Sequence, residues 1–370
     1  MGKQLHVISF DNPFPPNYGG VIDVYYKLKA LFEAGVEINL HVFEYGRERS
    51  AELSKICKTV NYYPRRTFVN PFLGSLPYIV STRNDATLLQ NLLKDKAPIL
   101  FEGLHSCFFL NEPLLANRIK IVRMHNIEHD YYRKLEEVES NFFKKYFFAK
   151  EADRLTRFEE ILTHANYILA ISPNDVTALK SLYKNVSLLP AFHANQNVTS
   201  KTGKGNFVFY HGNLSVGEND EAARFLVSQV FNDLTVPFII AGNNPSAALK
   251  KAVENYPHIQ LLQHASTAEI TQLTQDAQVN VLPTFQSTGI KLKLINVLYQ
   301  GRWCVVNNLM VENTGLANLC SVANQASEMK AAITKMIDLP FDEAQLNHRK
   351  EVLKTAFCNQ SNVKILIGLM

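Results

Sequence analysis

Short apolar runs alternate with helical patterns along almost the whole chain, and this alternation limits the fold more than any other feature. The runs LHVISF (5 to 10), VEINLHVF (36 to 43), PILFEG (98 to 103), IKIVRMHN (119 to 126) and YILAIS (167 to 172) lie in the first half. FVFYHG (207 to 212), PFIIAG (237 to 242), HIQLLQ (258 to 263), VNVLP (279 to 283), WCVVNN (303 to 308) and NLCSVA (318 to 323) lie in the second. They are continuous rather than alternating, as in parallel strands covered on both faces. Helical periodicity fills the intervals: 21 to 32 ending near Gly35, 84 to 96, a long helix over about 133 to 163, 219 to 230, 245 to 255, 267 to 275 and 325 to 337. Ser172 followed by Pro173 reads as a helix cap and first position. The segment 61 to 77 has the Pro, Gly and aromatic content of a surface loop. Residues 193 to 206, HANQNVTSKTGKGN, are polar and aperiodic, which places a domain boundary there. The expected fold class is therefore α/β, with two doubly wound parallel-sheet domains at 1 to 192 and 206 to 340 and a helical segment at 341 to 370. In such sheets the C-terminal strand ends face a crevice, the default ligand site.

The stretch FQSTGIKLKLINVLYQG (285 to 301) carries the clearest chemistry. It reads as a helix entered from the strand VNVLP, with Ser287 and Thr288 as capping residues and Gly301 where a left-handed C-cap would end it. Ile290, Leu294, Val297 and Leu298 repeat at core spacing, whereas Gly289, Lys293, Asn296 and Gln300 form a polar stripe. Unpaired N–H groups at a helix start suit an anion. A helix end supplies only about half a positive charge, and Lys291 and Lys293 raise that enough to hold a diphosphate. The competing reading is a solvated amphipathic helix with exposed lysines.

Composition excludes several classes. The chain has 370 residues, 46% apolar and 19% charged, with a net charge of +4, which argues for a globular protein and gives no ground for nucleic acid. No run of about 18 apolar residues and no signal-peptide pattern occurs, so a cytoplasmic location is expected, with peripheral attachment at the inner face of the membrane as a second expectation. Five scattered cysteines suggest neither a disulfide framework nor a zinc site.

Other loops are candidates for binding. Gly19 and Gly20, after the first strand, would let backbone approach a ligand, but no G-x-G-x-x-G accompanies them. MHNIEHDYYR (124 to 133) follows a strand, and His125 suits hydrogen bonding to a substrate hydroxyl or a developing charge. Pairing it with His129 around a metal lacks a third ligand. Glu102, His105 and Ser106 follow PILFEG, Glu128 lies in the histidine loop, and all could line the crevice as well as serve as ordinary caps or core groups. Gly212, Asn213 and Ser215 in YHGNLSVGEND could bind phosphate or hydroxyls. NFFKKYFFAK (141 to 150) mixes aromatics with three lysines. Core packing is the plainer account of it, and contact with an anionic membrane surface the other.

These motifs together resemble the GT-B glycosyltransferases of the large retaining class called family 4. The resemblance rests on the Gly-Gly loop, the loop at His125, ILAISPND (168 to 175), HGNLS, the Ala-Gly at 241 and 242, and TGIKLKLINVLYQGRWCVV. It implies two Rossmann-like domains, the second holding a nucleotide diphosphate sugar and the first a saccharide or lipid-linked acceptor, as in surface polysaccharide synthesis. It also implies that no cofactor or metal is needed. On matching positions, Gly19 and Gly20 would approach the donor, His125 would bond the transferred sugar, and the backbone of Gly289, Ile290, Lys291 and Leu292 would hold the diphosphate. Gln263 and His264 would lie near the base. Family members usually carry two glutamates with seven residues between them where this chain has Thr288 and Asn296; Asn296 would bond the ribose as a neutral partner. The usual Arg and Lys after the second domain's first strand are also missing, a charge that Lys291 and Lys293 could supply. A sugar epimerase or phosphorylase on the same scaffold, and a nucleotide-sugar or glycan-binding protein without catalysis, are the alternatives.

Overall fold

A computed structural model describes residues 2–68, 70–139, 141–285 and 291–370. The chain divides into two compact units. One holds the chain up to Ala194 together with Phe357–Met370; the other runs from Asn195 to Ala356.

The first unit is built on seven strands: β1 (Gln4–Ser9), β2 (Glu37–Glu44), β3 (Thr59–Pro64), β4 (Ile99–Glu102), β5 (Lys120–Arg123), β6 (Tyr167–Ala170) and β7 (Val186–Leu188). They lie in the order β3-β2-β1-β4-β5-β6-β7, every pairing parallel. Both faces are covered, which explains the continuous apolar runs. Ile8, Phe43, Phe101 and Val122 point into one core with Leu88, Leu155 and Leu162. Val7, Leu40, Leu100 and Ile121, the alternate positions, point into the other with Val24, Leu28 and Leu31 of the helix Gly19–Glu33.

The second unit has β8 (Val208–His211), β9 (Phe238–Ala241), β10 (Ile259–Leu262), β11 (Val279–Leu282), β12 (Trp303–Val306) and β13 (Ser321–Val322). Their order is β10-β9-β8-β11-β12-β13, again parallel throughout. The α/β expectation of two parallel-sheet halves holds.

Several local expectations change. The segment 61 to 77 is not all loop: β3 occupies its start, because Val60, Tyr62 and Tyr63 pair beside β2 and Tyr63 buries its ring while its hydroxyl bonds His41 Nδ1 at 2.8 Å. The long helix over 133 to 163 is two helices, Glu128–Val138 and Phe142–Phe158, followed by a 3₁₀ turn. Glu139 is extended, and Asn141 restarts the helix by accepting the Lys144 N–H at 3.1 Å. Ser172 caps the helix Pro173–Lys180 as the sequence suggests. The C-terminal residues do not form one segment: the helix Glu343–Ala356 belongs to the second unit, whereas the helix Asn359–Gly368 returns to the first and buries Val363 and Leu366 against the core that holds Val24 and Leu28. Gly301 does end a helix, but in extended backbone at φ −87° rather than left-handed. A side chain there would run into the Asn280 amide and approach Val297 O at 3.1 Å, so close packing is what selects glycine. Among the described residues no helix is long and apolar enough to cross a membrane.

Candidate functional site

In the first unit the predicted residues converge on Phe10, just past the C-terminal end of β1. Its ring lies 5.4 Å from both His105 and His125, and a side chain on Gly20 would meet it at 2.8 Å. Gly20 is thus fixed by packing, while Gly19 borders open space at the start of its helix, whose N-cap Tyr18 offers no side-chain cap. Gly103 takes φ +70° at the end of β4, a turn that sends His105 back over Phe10.

Glu102 and His125 belong to a buried charge network whose other members, Asp23, Lys27 and Arg123, the sequence does not single out. Lys27 Nζ donates to Glu102 at 2.7 and 2.8 Å and to Asp23 at 3.0 Å, and Arg123 reaches Asp23 at 3.3 Å. The ring of His125 turns into this network: Nε2 lies 2.9 Å from Glu102 and Nδ1 3.8 Å from Asp23. Burial pushes the Asp23 and Glu102 carboxyls up, but their neighbours outweigh it: Arg123 and then Lys27, with His125, hold Asp23 well below the carboxylate range, and Lys27 with His125 lowers Glu102. Two signals could have revealed the network: Asp23 and Lys27 stand four apart on the apolar face of their helix, and Arg123 ends an apolar strand.

Asp23, Glu102 and His125 offer ligand atoms within 4.8 Å of one another. They do not suit a metal ion as placed, because the Lys27 ammonium already lies between the two carboxylates and Arg123 completes their neutralisation. Glu128 Oε1 lies 3.8 Å from His105 Nδ1. Burial, with the nearby Glu159, pushes the Glu128 carboxyl up to about 8, so near neutral pH it is mostly a protonated acid. Burial and then Arg83 drive His105 well down, leaving it neutral. The structure thus brings Glu102, His105, His125 and Glu128 together.

In the second unit, β8 ends at His211, Gly212 follows it, and the helix Leu292–Gln300 starts beside them. Lys293, in that helix's first turn, is half-buried and donates to Asn219 Oδ1 at 2.8 Å, with Nζ 5.0 Å from the Tyr210 ring centre. A side chain on Gly212 would stand 3.1 Å from Lys293 Nζ, so the glycine is what lets the ammonium reach the strand end. Burial pushes Lys293 down to about 8, Glu218 opposing and Lys291 adding to the fall. The same ammonium joins burial in lowering His211 to about 3. Asn213 O accepts from Asn219 Nδ2 at 3.0 Å, which ties the loop after β8 to the helix Gly217–Phe225. Asn219 and Glu218 were not anticipated; the signal was their place in the first turn of a helix following a Gly-rich strand end. Leu292 is buried, and Lys291 is the N-cap residue. Asn296 stands one turn on and accepts from Asn195 Nδ2 at 2.7 Å, apart from the Lys293 group. His264 takes φ +62° just past β10 with its side chain exposed, and Gln263 is exposed beside it. Thr288, Gly289 and Ile290 lie outside the described residues.

Solved structures share the fold of two parallel-sheet units over nearly their whole length. The Anabaena protein HepE, determined with UDP and glucose, aligns over 100% of this chain and 99% of its own with a TM-score of 0.64 at 12% identity. An α,α-trehalose-phosphate synthase (UDP-forming) from Burkholderia xenovorans, in complex with glucose-6-phosphate, gives 0.63 at 12% identity over 100% of each chain. The chain has the GT-B fold. Within GT-B terms, the first unit is the N-terminal parallel-sheet half and the second the C-terminal one. A third structure of this fold, a point mutant of S. aureus TarM in complex with Fondaparinux, alpha-GlcNAc-glycerol and UDP, gives 0.64 at 11% identity, 99% of each chain aligned. In sequence, the chain is 26% identical over 331 residues, 84% of each protein, to an uncharacterized 44.6 kDa protein in the cps region of Klebsiella pneumoniae. No family model matches the sequence.

Proposed function

We propose that this GT-B protein is a retaining glycosyltransferase that moves a hexose from a nucleotide diphosphate sugar to a hydroxyl of a saccharide or lipid-linked saccharide, in the synthesis of a surface polysaccharide. The observation that carries the reading is Lys293: an ammonium held beside Gly212 and Asn219 in the first turn of a helix, where N–H groups and the helix dipole also favour negative charge. UDP in the HepE and TarM complexes makes a UDP-sugar the first donor to try, and the cps-region relative supports the polysaccharide setting.

In the reaction, the bond from the sugar's anomeric carbon to the diphosphate breaks, the acceptor oxygen bonds to the same face, and the acceptor hydroxyl gives up its proton as the nucleotide diphosphate leaves. Charge builds on the departing phosphate oxygens. Lys293, Lys291 and the helix N–H groups would stabilise it, and loss of one such donor typically costs about 3 kcal/mol in the barrier. His125, with Nε2 on Glu102, is fixed in orientation, and the Phe10 cluster of Glu102, His105 and Glu128 would shape the acceptor side. Neither a metal nor a protein nucleophile enters the scheme.

The test is a panel of UDP-, GDP-, ADP- and CMP-sugars, read first by thermal shift and then by product formation with the anomer assigned by NMR. One nucleotide family should stabilise the protein and yield an α-product from an α-donor. Undiminished turnover in a Lys291→Ala/Lys293→Ala variant, with a demonstrated substrate pair, would refute the assignment.

A further inference from the structure

The exposed apolar side chains are not scattered evenly. Phe72, Leu73, Val138, Phe142, Phe143 and Tyr146 all lie in the first unit, on one loop and on two consecutive helices; Phe142, Phe143 and Val138 are each at least 75% exposed. The helix Phe142–Phe158 is two-sided here: Phe147 and Phe148 turn partly inward against Tyr78 and Tyr132, while Phe142, Phe143 and Tyr146 face water. The loop is fastened to it at Pro71 and Phe72. Phe72 stacks on Tyr146 at 5.9 Å, and the buried Arg154 donates to Pro71 O and to Phe72 O. Phe72 on Tyr146 therefore joins the loop to the exposed rings of the helix, an apolar surface of a kind that soluble monomers rarely leave uncovered.

Charge says what covers it. Residues 66 to 76 and 141 to 150 carry Arg66, Lys144, Lys145 and Lys150 and no acidic residue, a surplus as large as that of the whole chain. None of these four cations has an ion pair among the described residues, and all are exposed. Of the neighbouring acids, Glu136 and Asp153 are held by Arg133, which leaves two counter-charges beside the patch, the exposed Glu137 and the half-buried Glu139, whose carboxylate accepts the Asn141 N–H at 2.8 Å.

We infer that this patch docks the protein on an anionic lipid surface, with Phe142, Phe143 and Phe72 entering the interface and the lysines meeting the headgroups. A second copy of the chain is the poorer occupant, since a two-fold contact would set the same four cations against their duplicates. The inference is independent of the sugar-transfer reading, because vesicle binding is read without donor or acceptor.

The experiment is co-sedimentation of the full chain with vesicles of phosphatidylcholine alone or mixed with phosphatidylglycerol, at low and high salt, beside its molar mass in solution. Wild type should pellet with the mixed vesicles and be released by salt. Phe142→Ser/Phe143→Ser should weaken binding at least tenfold, and Lys144→Ala/Lys145→Ala by about fivefold per lysine. All four positions are exposed, so folding is expected to be intact, and the thermal midpoint checks it. Failure of wild type to bind the mixed vesicles, equal binding to neutral ones, or a dimer that the phenylalanine variant dissociates would each overturn the inference.

Discussion

Lys293 gives the most demanding prediction, because its lowered pKa makes donor binding depend on pH in a calculable way. With the free ammonium at about 8, nearly all of it is charged at pH 7 and only about a tenth at pH 9. A diphosphate beside it favours the charged form and raises its pKa, so above about pH 8 binding must take up a proton. The apparent affinity for the donor should then fall about tenfold between pH 7 and pH 9, and uptake at pH 8.5 should approach about 0.75 of a proton per donor bound. A nucleotide diphosphate sugar is the ligand to use, since its esterified phosphates have no titration near pH 8. Calorimetry at pH 8.5 in two buffers of different ionisation enthalpy reads the proton directly. Lys293→Met should bind about ten- to a hundredfold more weakly at pH 7, as expected for a lost charge-assisted bond, and should lose the pH dependence. An affinity that is flat from pH 7 to 9, or a slope that survives in Lys293→Met, would refute the reasoning.

Gly212→Ala would place a methyl 3.0 Å from Asn219 Cγ and 3.1 Å from Lys293 Nζ, so donor affinity should fall at least as far as in Lys293→Met while the far-ultraviolet spectrum stays that of wild type. Glu102→Gln leaves Lys27 with Asp23 as its one carboxylate in a fully buried site; denaturant unfolding should show a loss of about 3 kcal/mol, partly restored by adding Lys27→Met. Glu128, with a native pKa raised to about 8, keeps its proton where the unfolded chain has lost it, so its contribution is intact below about pH 4.5 and is lost as pH rises toward 8. Glu128→Gln should therefore change the melting temperature little at pH 5 and raise it relative to wild type at pH 8, measured by scanning calorimetry.

The architecture was legible because parallel strands buried on both faces must be apolar at every position, and such runs stand out in any sequence. Caps were legible for a similar reason: Ser172 before Pro173 offers one residue pair with one use. What escaped was set by tertiary contact. The strand β3 ends in Pro64 and contains two tyrosines, and it is strand because β2 offers an unpaired edge. A glycine at a helix end suggests φ above zero, whereas at Gly301 the neighbouring Asn280 is what forbids a side chain. The buried network shows the limit most clearly. Asp23 and Lys27 on one helix, Glu102 at the end of β4, and Arg123 with His125 at the end of β5 come from three parts of the chain, and Asp23, Lys27 and Arg123 each look like ordinary polar residues of a helix or strand. Their mutual neutralisation exists only after the sheet has assembled.

The strand orders explain why these groups meet where they do. In each sheet the first strand of the unit lies inside, with chain order running outward on either side: β1 stands between β2 and β4, and β8 between β9 and β11. The connections from β1 and from β4 therefore leave in opposite directions and leave a gap above the strand ends, the topological switch point at which open parallel sheets bind ligands. Phe10 and Gly19 follow β1, and Glu102 ends β4. In the second unit Gly212 follows β8, and Thr284, which hydrogen-bonds Glu218 through its hydroxyl, follows β11. Glu128 and His105 in one unit, and Lys293 and His211 in the other, combine an unusual proton affinity with a burial cost, and they adjoin these gaps. A core maintained for stability alone gains nothing from a half-buried ammonium 2.8 Å from an amide oxygen when an apolar side chain would fit at lower cost. Its place beside the switch point is what the proposed site for an anionic ligand requires.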